Sequence, residues 1–433
     1  MIKMIRFLPL LVLLLIVPSA IHAQEASPTI DVLHIKGIIN PVLVGYVERG
    51  IKEAEKDNAI ALVIQMDTPG GLDNAMRDII QLIDRAQIPI VVYIPPGAQA
   101  ASAGFFITIA ADVAAMAPDT AIGAATPVAL GTEGEVQMSE EMKAKVTNDA
   151  IAYAKAIAKA HERNIEWAEK AVREGASVPS YEALDLNVID IIAADTSDLI
   201  TQLDGFKVTM LDGSTLTLKT QGATTNDIKM STIEDFLFAI SDPNIAYILL
   251  SLAILGITVE IFNPGLIFPG IVGAIAGLLA FYSLGMLPVN YAGVLLMVLA
   301  LVLFIAEAFT TTFGLLTAGG IASLVIGSLI LFPGGDSMFQ INPWLIAAVA
   351  IFFTVLLVFI VNRVVAAHRR QATTGREELL GKTAIVRTAL KPEGTVFHEG
   401  EIWAALLDKG LAEPGEEVLI SKIDGLKLYV TKK

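Results

Sequence analysis

Cysteine is absent from the 433 residues, and charged residues make up only 17% of them. The lack of cysteine excludes disulfides, thiolate metal ligands and a cysteine nucleophile. Soluble domains usually contain about 25% charged residues, so a composition with 54% hydrophobic residues indicates that part of the chain faces lipid. Intrinsic disorder is excluded as well, because disordered chains are poor in apolar residues and rich in charge.

Basic residues are missing from residues 241–362, which hold only four acids: Asp242, Glu260, Glu307 and Asp336. Residues 24–240 instead contain 16 Lys and Arg against 31 Asp and Glu, a difference equal to the net charge of −15. Nucleic-acid binding requires clustered Lys and Arg, and no such footprint is present. The charge pattern therefore divides the chain into an acidic part, an almost uncharged part and a short mixed tail, and it predicts no nucleic-acid partner.

The first 23 residues resemble an export signal. Lys3 and Arg6 precede an apolar run from Phe7 to Val17, and a small residue follows at Ala23. These are the parts of a signal peptide, and the run is short for a bilayer span of about 20 residues. We expect residues 1–23 to be a signal peptide cleaved after Ala23, with an uncleaved anchor as the alternative. The chain that follows is exported in either case.

Residues 242–363 are predicted to form a transmembrane domain of five helices. Five apolar runs have nearly the length of a bilayer span, at about 245–262, 266–287, 291–309, 313–332 and 344–361. Basic residues that flank a span stay in the cytoplasm, and they follow the last run at Arg363, Arg369, Arg370 and Arg376. The C-terminus is therefore expected inside. An exported N-terminal domain then requires an odd number of spans, as five is.

Glu260 and Glu307 each stand near the end of an apolar run. An aromatic residue and a Gly-Leu pair follow both acids, so the same order recurs about 47 residues apart. The repeat predicts two related helical hairpins and a fifth helix. An acid within a span is costly and is usually functional or paired, but near a span end it also serves as a solvated or capping carboxylate. The sequence leaves both roles open.

Residues 24–235 alternate apolar strands (30–36, 59–66 and 88–94) with helical segments (41–57 and 72–86). This alternation predicts an α/β domain with a parallel core. The turn Asp67-Thr68-Pro69-Gly70-Gly71 follows the second strand, and Ser102, among Ala and Gly residues, follows the third. Small neighbours at a strand-to-helix junction would let a substrate approach this hydroxyl. An ordinary helix N-cap is the alternative role for such a serine.

The Pro-Gly-Gly turn and the serine together resemble the ClpP/crotonase superfamily, in which the Gly-Gly turn supplies oxyanion-hole N–H groups. Lys145-Val-Thr-Asn resembles a run in the membrane-bound NfeD-type serine proteases that begins with the catalytic lysine. The resemblance covers nearly the whole chain. It implies Ser102 as nucleophile, Lys145 as general base with Lys143 as the alternative, and oxyanion donors at Gly70 or Gly71 and at Ala103. It implies no metal or cofactor.

Two histidines, His34 and His161, lie beyond the export signal and before the apolar block. We expect them on the first strand and at a solvated helix end, so neither is assigned as the base. A lysine is a known substitute for histidine in such sites. The polar loop at 126–140 is a candidate lid over the serine.

Residues 376–433 are predicted to be a small all-β domain. Five short strands separated by turn residues fall at 382–388, 394–397, 401–405, 417–423 and 427–430, a number that suits an OB-like barrel. The segment 394–404, with its Gly-Glu-Ile-Trp core, resembles the NfeD C-terminal domain. We expect a cytoplasmic module that docks proteins.

The leading interpretation is a membrane-anchored Ser-Lys endopeptidase of the NfeD type that cleaves apolar segments. The resemblance implies a stomatin-like membrane protein as substrate or partner, a homodimer or higher homo-oligomer, and a multi-pass protein of the cell (inner) membrane whose protease domain is extracytoplasmic. One alternative is an inactive membrane-organising scaffold that partners stomatin- or flotillin-like proteins. An acyl-CoA enzyme of the crotonase type is disfavoured, because export separates it from its cofactor.

Overall fold

The computed structural model describes residues 28–433 apart from 128–129, 132–133, 136–138, 264, 311, 313, 333–338 and 369–378. The predicted signal peptide, much of the candidate lid and the arginines at 369, 370 and 376 lie outside the described residues. The chain forms two compact units, one of residues 1–310 and 318–350 and one of residues 311–317 and 351–433.

The N-terminal part alternates strands and helices throughout. In chain order its elements are β1 (Thr29–Lys36), α1 (Pro41–Lys56), β2 (Leu62–Asp67), α2 (Asp73–Arg85), β3 (Ile90–Ile94), β4 (Gln99–Ala101), α3 (Ala103–Ile109), β5 (Val113–Met116), β6 (Ala121–Gly123), β7 (Leu130–Gly131), β8 (Gly134–Glu135), α4 (Glu140–Ala160), α5 (Ile165–Arg173), β9 (Ser177–Pro179), α6 (Ser180–Asp185), β10 (Ile191–Ile192), α7 (Thr196–Leu203), β11 (Lys207–Thr209), β12 (Thr215–Thr217), β13 (Thr224–Asp227) and α8 (Thr232–Ile240).

A six-stranded sheet with the order β10-β5-β3-β2-β1-β13 forms the centre of this part, and all of its pairs are parallel. The predicted apolar strands supply its middle, because a parallel sheet is covered on both faces and its strands read as continuous apolar runs. One face packs against α1 to α5 and the other against α7 and β11. A second sheet, β4-β6-β9, lies at the carboxyl end of β2 and carries the serine.

The described residues of the apolar block form five helices: α9 (Pro243–Phe262), α10 (Phe268–Met286), α11 (Tyr291–Phe309), α12 (Leu315–Ile330) and α13 (Pro343–His368). Among the described residues, α9 and α10 are long and apolar enough to cross a membrane, and the apolar stretches of the other three are shorter. Glycines bring α9 and α10 together, since a Cβ on Gly256 would lie 2.8 Å from the Cα of Gly273. Gly293 makes an equally close approach to Leu331 in the second hairpin. Small residues allow such contacts between membrane helices.

Glu260 caps the helix that follows it. Its Oε1 accepts a hydrogen bond of 3.2 Å from the backbone N–H of Ile267, at the start of α10. Gly270 leaves room for the carboxylate, because a Cβ there would lie 2.9 Å from Cγ of Glu260. Glu260 therefore makes the capping contact that the sequence left open, while its Oε2 is buried without a hydrogen-bond partner among the described residues. Glu307 is buried.

The C-terminal strands are β14 (Thr383–Thr388), β15 (Glu393–His398), β16 (Glu401–Leu407), β17 (Glu417–Asp424) and β18 (Lys427–Lys432). They close into a barrel with the order β14-β15-β16-β18-β17, in which β16 and β18 are parallel and the other pairs are antiparallel. Alternating apolar residues such as Val396, Ala405 and Val430 fill its interior. The three predicted parts, an α/β domain, an apolar helical block and a small β-barrel, are all present.

An ion pair joins α8 to the α/β domain. The guanidinium of Arg49 on α1 donates two hydrogen bonds to the carboxylate of Glu234, at 2.9 and 2.6 Å. These bonds lower the pKa of Glu234 from 4.5 to about 2. Ser231 completes a capping box with the same carboxylate, so the start of α8 is fixed to α1.

We predict that Arg49→Met destabilises the chain by about 1–2 kcal/mol at neutral pH, and that the loss shrinks in acid. The folded pKa of Glu234 is depressed, so the stability it contributes is present above pH 4.5 and disappears as the pH falls towards 2. Denaturant unfolding in detergent at pH 7, 5 and 3 measures the difference. Lys52→Met is the matched control, because the ion pair of Lys52 with Glu48 is exposed. An equal effect of both substitutions would contradict the prediction.

Candidate active site

Ser102 adopts a backbone conformation that is rare for a residue with a side chain. It joins β4 to α3 with φ 52° and ψ −114°, and positive φ values are uncommon outside glycine. The side chain makes no capping hydrogen bond to α3, so the N-cap role that the sequence allowed is not the one adopted. Its hydroxyl is partly exposed and forms no hydrogen bond within the part of the chain that the structure describes. A strained, uncapped serine at a strand-to-helix turn is the arrangement of a nucleophile elbow.

Hydrogen bonds on two sides hold this conformation. The Ser102 N–H donates to the carbonyl of Gly123 on β6 at 3.0 Å, and the Ala101 N–H donates to the carbonyl of Thr68 at 3.1 Å. Gly123 requires its lack of a side chain, because its φ is 132° and a Cβ would lie 2.2 Å from the Ala176 carbonyl. Strain of this kind persists only where the surroundings fix it.

The Gly-Gly turn lies beside the serine. Thr68, two residues before Gly70, forms a parallel bridge with Ala100, and a Cβ on Gly104 would lie only 2.5 Å from Cγ2 of Thr68. The end of β2 and the start of α3 are therefore in direct contact. This contact is the reason that a turn and a serine about 30 residues apart in the sequence share one site.

The three candidate oxyanion donors differ in their hydrogen bonds. The Gly70 N–H donates to the Thr68 hydroxyl at 3.0 Å, so it is already used. The N–H groups of Gly71 and Ala103 have no acceptor among the described residues. Ala103 begins α3, where helix geometry leaves the first N–H groups free. Gly71 is closely packed, since a Cβ there would lie 2.3 Å from the carbonyl of Ile39. Gly71 and Ala103 are thus the available pair.

Both candidate lysines lie on the first turns of α4, and both are exposed. Neither Lys143 nor Lys145 forms a hydrogen bond or ion pair within the described residues, so the structure does not join either to Ser102. Successive helix residues turn by about 100°. Lys143 lies seven residues, or two turns, before the buried Ala150, and therefore on the same side of the helix as Ala150. Lys145 lies one turn before Asp149, on a different side of the helix. The described geometry therefore leaves the choice of base open.

Arg77 connects α4 to the helix that follows the Gly-Gly turn. It projects from α2 and donates hydrogen bonds to Asp73 at 2.8 Å and to Asp149 at 2.9 Å, and its guanidinium stacks 4.3 Å from the ring centre of Tyr153. Burial alone would lower the pKa of Arg77, but the two carboxylates raise it overall. Tyr153 in turn stacks on Phe106 of α3 at 6.0 Å. Arg77 thus links α2, which follows the Gly-Gly turn, to α4, which carries the candidate lysines, and through Tyr153 to α3, which follows Ser102.

His34 lies on β1 as expected, 3.1 Å from Asp227. The expectation for His161 is wrong: its side chain is 7% exposed and lies 3.4 Å from Asp84, so the end of α4 is not solvated there.

Sequence reasoning missed three supports of the site: Thr68, Gly123 and Arg77. Thr68 had a readable signal, because a hydroxyl residue two positions before a turn glycine commonly bonds to the turn backbone. Gly123 and Arg77 had none, since both act through residues distant in the sequence.

Three family descriptions match consecutive parts of the chain. Residues 29–223 match the N-terminal domain of NfeD1b, residues 244–363 match the NfeD integral membrane domain, and residues 376–432 match the NfeD-like C-terminal, partner-binding domain. The second match makes the apolar block a membrane domain, which the composition indicated.

Two relatives align over almost the full length. The membrane-bound protease PH1510 of Pyrococcus horikoshii is 36% identical over 99% of this chain and 98% of its own. The membrane protein NfeD1b of Bacillus subtilis is 27% identical over 95% of this chain and 94% of its own.

Solved structures also match parts of the chain. A membrane-bound stomatin-specific protease, as a lysine-to-alanine variant with a substrate peptide, is 35% identical over 50% of this chain and 98% of that chain, with a TM-score of 0.46. The C-terminal domain of a stomatin operon partner protein from Pyrococcus horikoshii is 39% identical over 14% of this chain and 95% of that chain, with a TM-score of 0.14. From its full-length match to a membrane-bound protease and its three matching domains, the chain belongs to the NfeD family.

Proposed function

We propose that this protein is a membrane-bound serine endopeptidase in which Ser102 is the nucleophile. The observation that carries the proposal is the strained, uncapped Ser102 at a strand end bridged to that of the Gly-Gly turn, where the N–H groups of Gly71 and Ala103 have no acceptor among the described residues. Full-length identity of 36% to a membrane-bound protease supports it independently. The division into a protease domain (24–235), a membrane domain (242–363) and a C-terminal domain (376–433) is part of the proposal.

In the proposed reaction the Ser102 hydroxyl attacks a peptide carbonyl, and the N–H groups of Gly71 and Ala103 donate to the oxygen that becomes negatively charged. Removing one such donor typically costs about 10²–10³ in rate. Gly70 has a supporting role here, because its bond to Thr68 fixes the turn that presents the Gly71 N–H. A neutral lysine takes the serine proton and gives it to the amine that leaves when the peptide C–N bond breaks, as in other Ser-Lys enzymes. Water then hydrolyses the acyl-serine, which releases the second product and restores the serine hydroxyl.

We propose Lys145 as that lysine, with Lys143 as the alternative. The Lys-Val-Thr-Asn run favours Lys145. The position of Lys143, two helical turns before the buried Ala150 and on the same side of α4, favours Lys143. The exposure of both side chains suits a base that is completed when substrate or a second copy of the chain covers the site.

We predict that Ser102→Ala lowers proteolysis by about 10³-fold or more and leaves the fold intact, because the hydroxyl makes no bond to the described residues. Lys145→Ala should lower the rate to a similar level, whereas Lys143→Ala should retain most of it. Lys155→Ala is the matched control, since this lysine on the same helix pairs with Glu169 away from the site. The assay is peptide cleavage by the full-length protein in detergent.

The result identifies the base directly. Loss with Lys143→Ala alone would transfer the role to Lys143. Full activity of both single lysine variants and of their double variant would reject a Ser-Lys site, and full activity of Ser102→Ala would reject the serine protease itself. Absence of cleavage by the unaltered protein, with intact binding of a partner, would favour the inactive scaffold instead.

Arg77 offers a second test, because it positions α4 without being a member of the dyad. We predict that Arg77→Gln lowers kcat/KM by about 10-fold, since small displacements of catalytic groups have large effects, and that Arg77→Lys recovers part of it. Arg173→Gln is the control, because Arg173 pairs with Glu169 on an exposed face of α5. Equal activity of Arg77→Gln and Arg173→Gln would show that the link is not needed.

The proposed substrates are apolar segments of membrane-associated proteins, and a stomatin-like protein is the proposed partner. Two of the matched structures are named for stomatin. Phe105 and Phe106 lie three and four residues after the serine, but both are buried, so they support α3 and do not line a groove. The acidic domain supports rejection of acidic segments, because like charges repel.

We predict cleavage within runs of Leu, Val, Ile, Phe or Ala, and little after Lys, Arg, Asp or Glu. A peptide library incubated with the full-length protein, read by mass spectrometry, measures this preference, and Ser102→Ala supplies the background. A clear preference for a charged residue at the cleaved bond would reject the apolar specificity.

The proposed topology has the α/β domain outside the cytoplasm and the barrel inside. Five helices in the apolar block support it, because an odd number of spans places the two ends on opposite sides. The barrel strand order, with β16 parallel to β18, supports an OB-type domain. The match to a partner-binding domain supports a role for it in docking. We further propose that the chain acts as a homodimer or higher homo-oligomer.

A further inference from the structure

Helix α8 has an apolar stripe that only partly meets protein. Ile233, Phe236, Leu237 and Ile240 recur at the three- and four-residue spacing of one helix face. Ile240 is 4% exposed, whereas Phe236 is 49% and Ile233 is 72% exposed. The stripe is therefore covered at its end next to α9 and open at the other. Large apolar side chains exposed side by side usually mark a surface of interaction.

The other faces of α8 are occupied or polar. Glu234 binds Arg49, and Phe238 packs against the core of the α/β domain, next to Gly37. Asp235 is exposed and lies on the side of the helix opposite Ile233, two residues and about 200° away. Helix α8 is thus fixed to the α/β domain along one side. Its apolar stripe and the exposed carboxylate of Asp235 lie on opposite sides of the helix.

The covered end of the stripe meets the membrane domain. The Ser283 hydroxyl on α10 donates to the carbonyl of Ile240, and the Ser241 hydroxyl contacts the sulfur of Met286 at 3.4 Å. Asp242 adopts an extended conformation and caps α9. The axis therefore breaks between α8 and α9, so α8 does not simply continue the direction of the span.

Exposed aromatic residues lie at this same end of the membrane helices. Tyr282 precedes Ser283, Tyr291 begins α11 and Trp344 begins α13, and they are 41%, 66% and 83% exposed. A hydrogen bond from the Asn342 N–H to the Asn244 side chain joins the starts of α13 and α9. Exposed Tyr and Trp concentrate at the membrane–water interface. The interface plane therefore passes through the junction of α8 with α9.

We propose that α8 is an interfacial helix whose open stripe, Ile233 and Phe236, lies in the headgroup–acyl boundary of the bilayer on the side of the α/β domain. Phe236 is one turn, about 6 Å, from Ile240, and Ile233 is about 10 Å away. A helix inclined to the membrane normal brings both within reach of that boundary. The bound molecules are phospholipids taken without regard to headgroup charge, because α8 contains no Lys or Arg. Together with the Arg49–Glu234 pair, this contact would set the height of Ser102 above the membrane.

The lack of cysteine makes the test direct. Single-cysteine variants need no altered background, so Ile233→Cys and Phe236→Cys can be spin-labelled in the full-length protein in phosphatidylcholine nanodiscs. Leu278→Cys, on an exposed face of α10, is the lipid reference. Leu211→Cys, an exposed apolar position of the α/β domain, and Asp235→Cys are the water references. Collision rates with oxygen and with a polar nickel complex are measured at each position.

The ratio of oxygen to nickel collisions at positions 233 and 236 should exceed that at 211 and 235 severalfold and approach the ratio at 278. The ratio should stay the same when part of the lipid is phosphatidylglycerol. A ratio at 233 and 236 equal to that at 211 would overturn the proposal, because the stripe would face water. Protection from both reagents would also overturn it, because a second copy or another protein segment would then cover the stripe. Neither outcome bears on the role of Ser102.

Discussion

The positive φ of Ser102 depends on hydrogen bonds from both neighbours of β4. On one side the end of β2 accepts from Ala101, and on the other the Gly123 carbonyl accepts from Ser102 itself. This double attachment turns the serine out of the helix it precedes, so its hydroxyl does not cap α3. Because the same β2 end continues into the Gly-Gly turn, the conformation of the serine and the position of the Gly71 N–H are set together. The candidate nucleophile and a candidate oxyanion donor thus share one strand junction.

The candidate bases, Lys143 and Lys145, are held less directly. The start of α4 projects beyond the core with both candidate lysines exposed, and the nearest fixed points are Asp149 and Tyr153, which meet Arg77. The site therefore has two parts. The strand ends that carry Ser102 and the Gly-Gly turn are rigid. The position of the candidate lysines depends on Arg77 and on a molecule that covers the start of α4. Such a division agrees with an enzyme that becomes competent when its substrate or partner binds. The position of the whole domain follows from α8, which is tied to α1 by an ion pair and to the membrane helices by serine hydroxyls.

The elements that have a periodicity or a length of their own could be predicted from the sequence. The buried runs of β2 and β3, the five apolar helices and the turn-separated strands of the barrel could be read directly, since each has a periodicity or a length of its own. The small sheet β4-β6-β9 could not, because its three-residue strands carry no pattern and its β6–β9 pair joins residues more than fifty positions apart in the sequence.

The site shows the same limit. Ser102 and the Gly-Gly turn stand out by composition and resemblance, but the choice between Gly70 and Gly71 depends on where the Thr68 hydroxyl lies. The burial of His161 beside Asp84 reverses what its charged sequence neighbours suggested, because one of them, Arg163, is itself buried and bonded to the backbone of Ile109 and Ala111. The burial of Phe105 and Phe106 likewise shows that apolar residues a few positions after the candidate nucleophile do not form an exposed surface.

Labelling of Ser102 by a fluorophosphonate probe is the most direct measurement of the central claim. The probe reacts only with an activated serine hydroxyl, and peptide mapping by mass spectrometry locates the adduct in the full-length protein. We predict one adduct, on Ser102, which disappears when the protein is unfolded and when the proposed base, Lys145, is replaced by alanine. Adducts on other serines, or equal labelling of Ser102 in folded and unfolded protein, would contradict the claim that the strained junction of β4 and α3 is an active site.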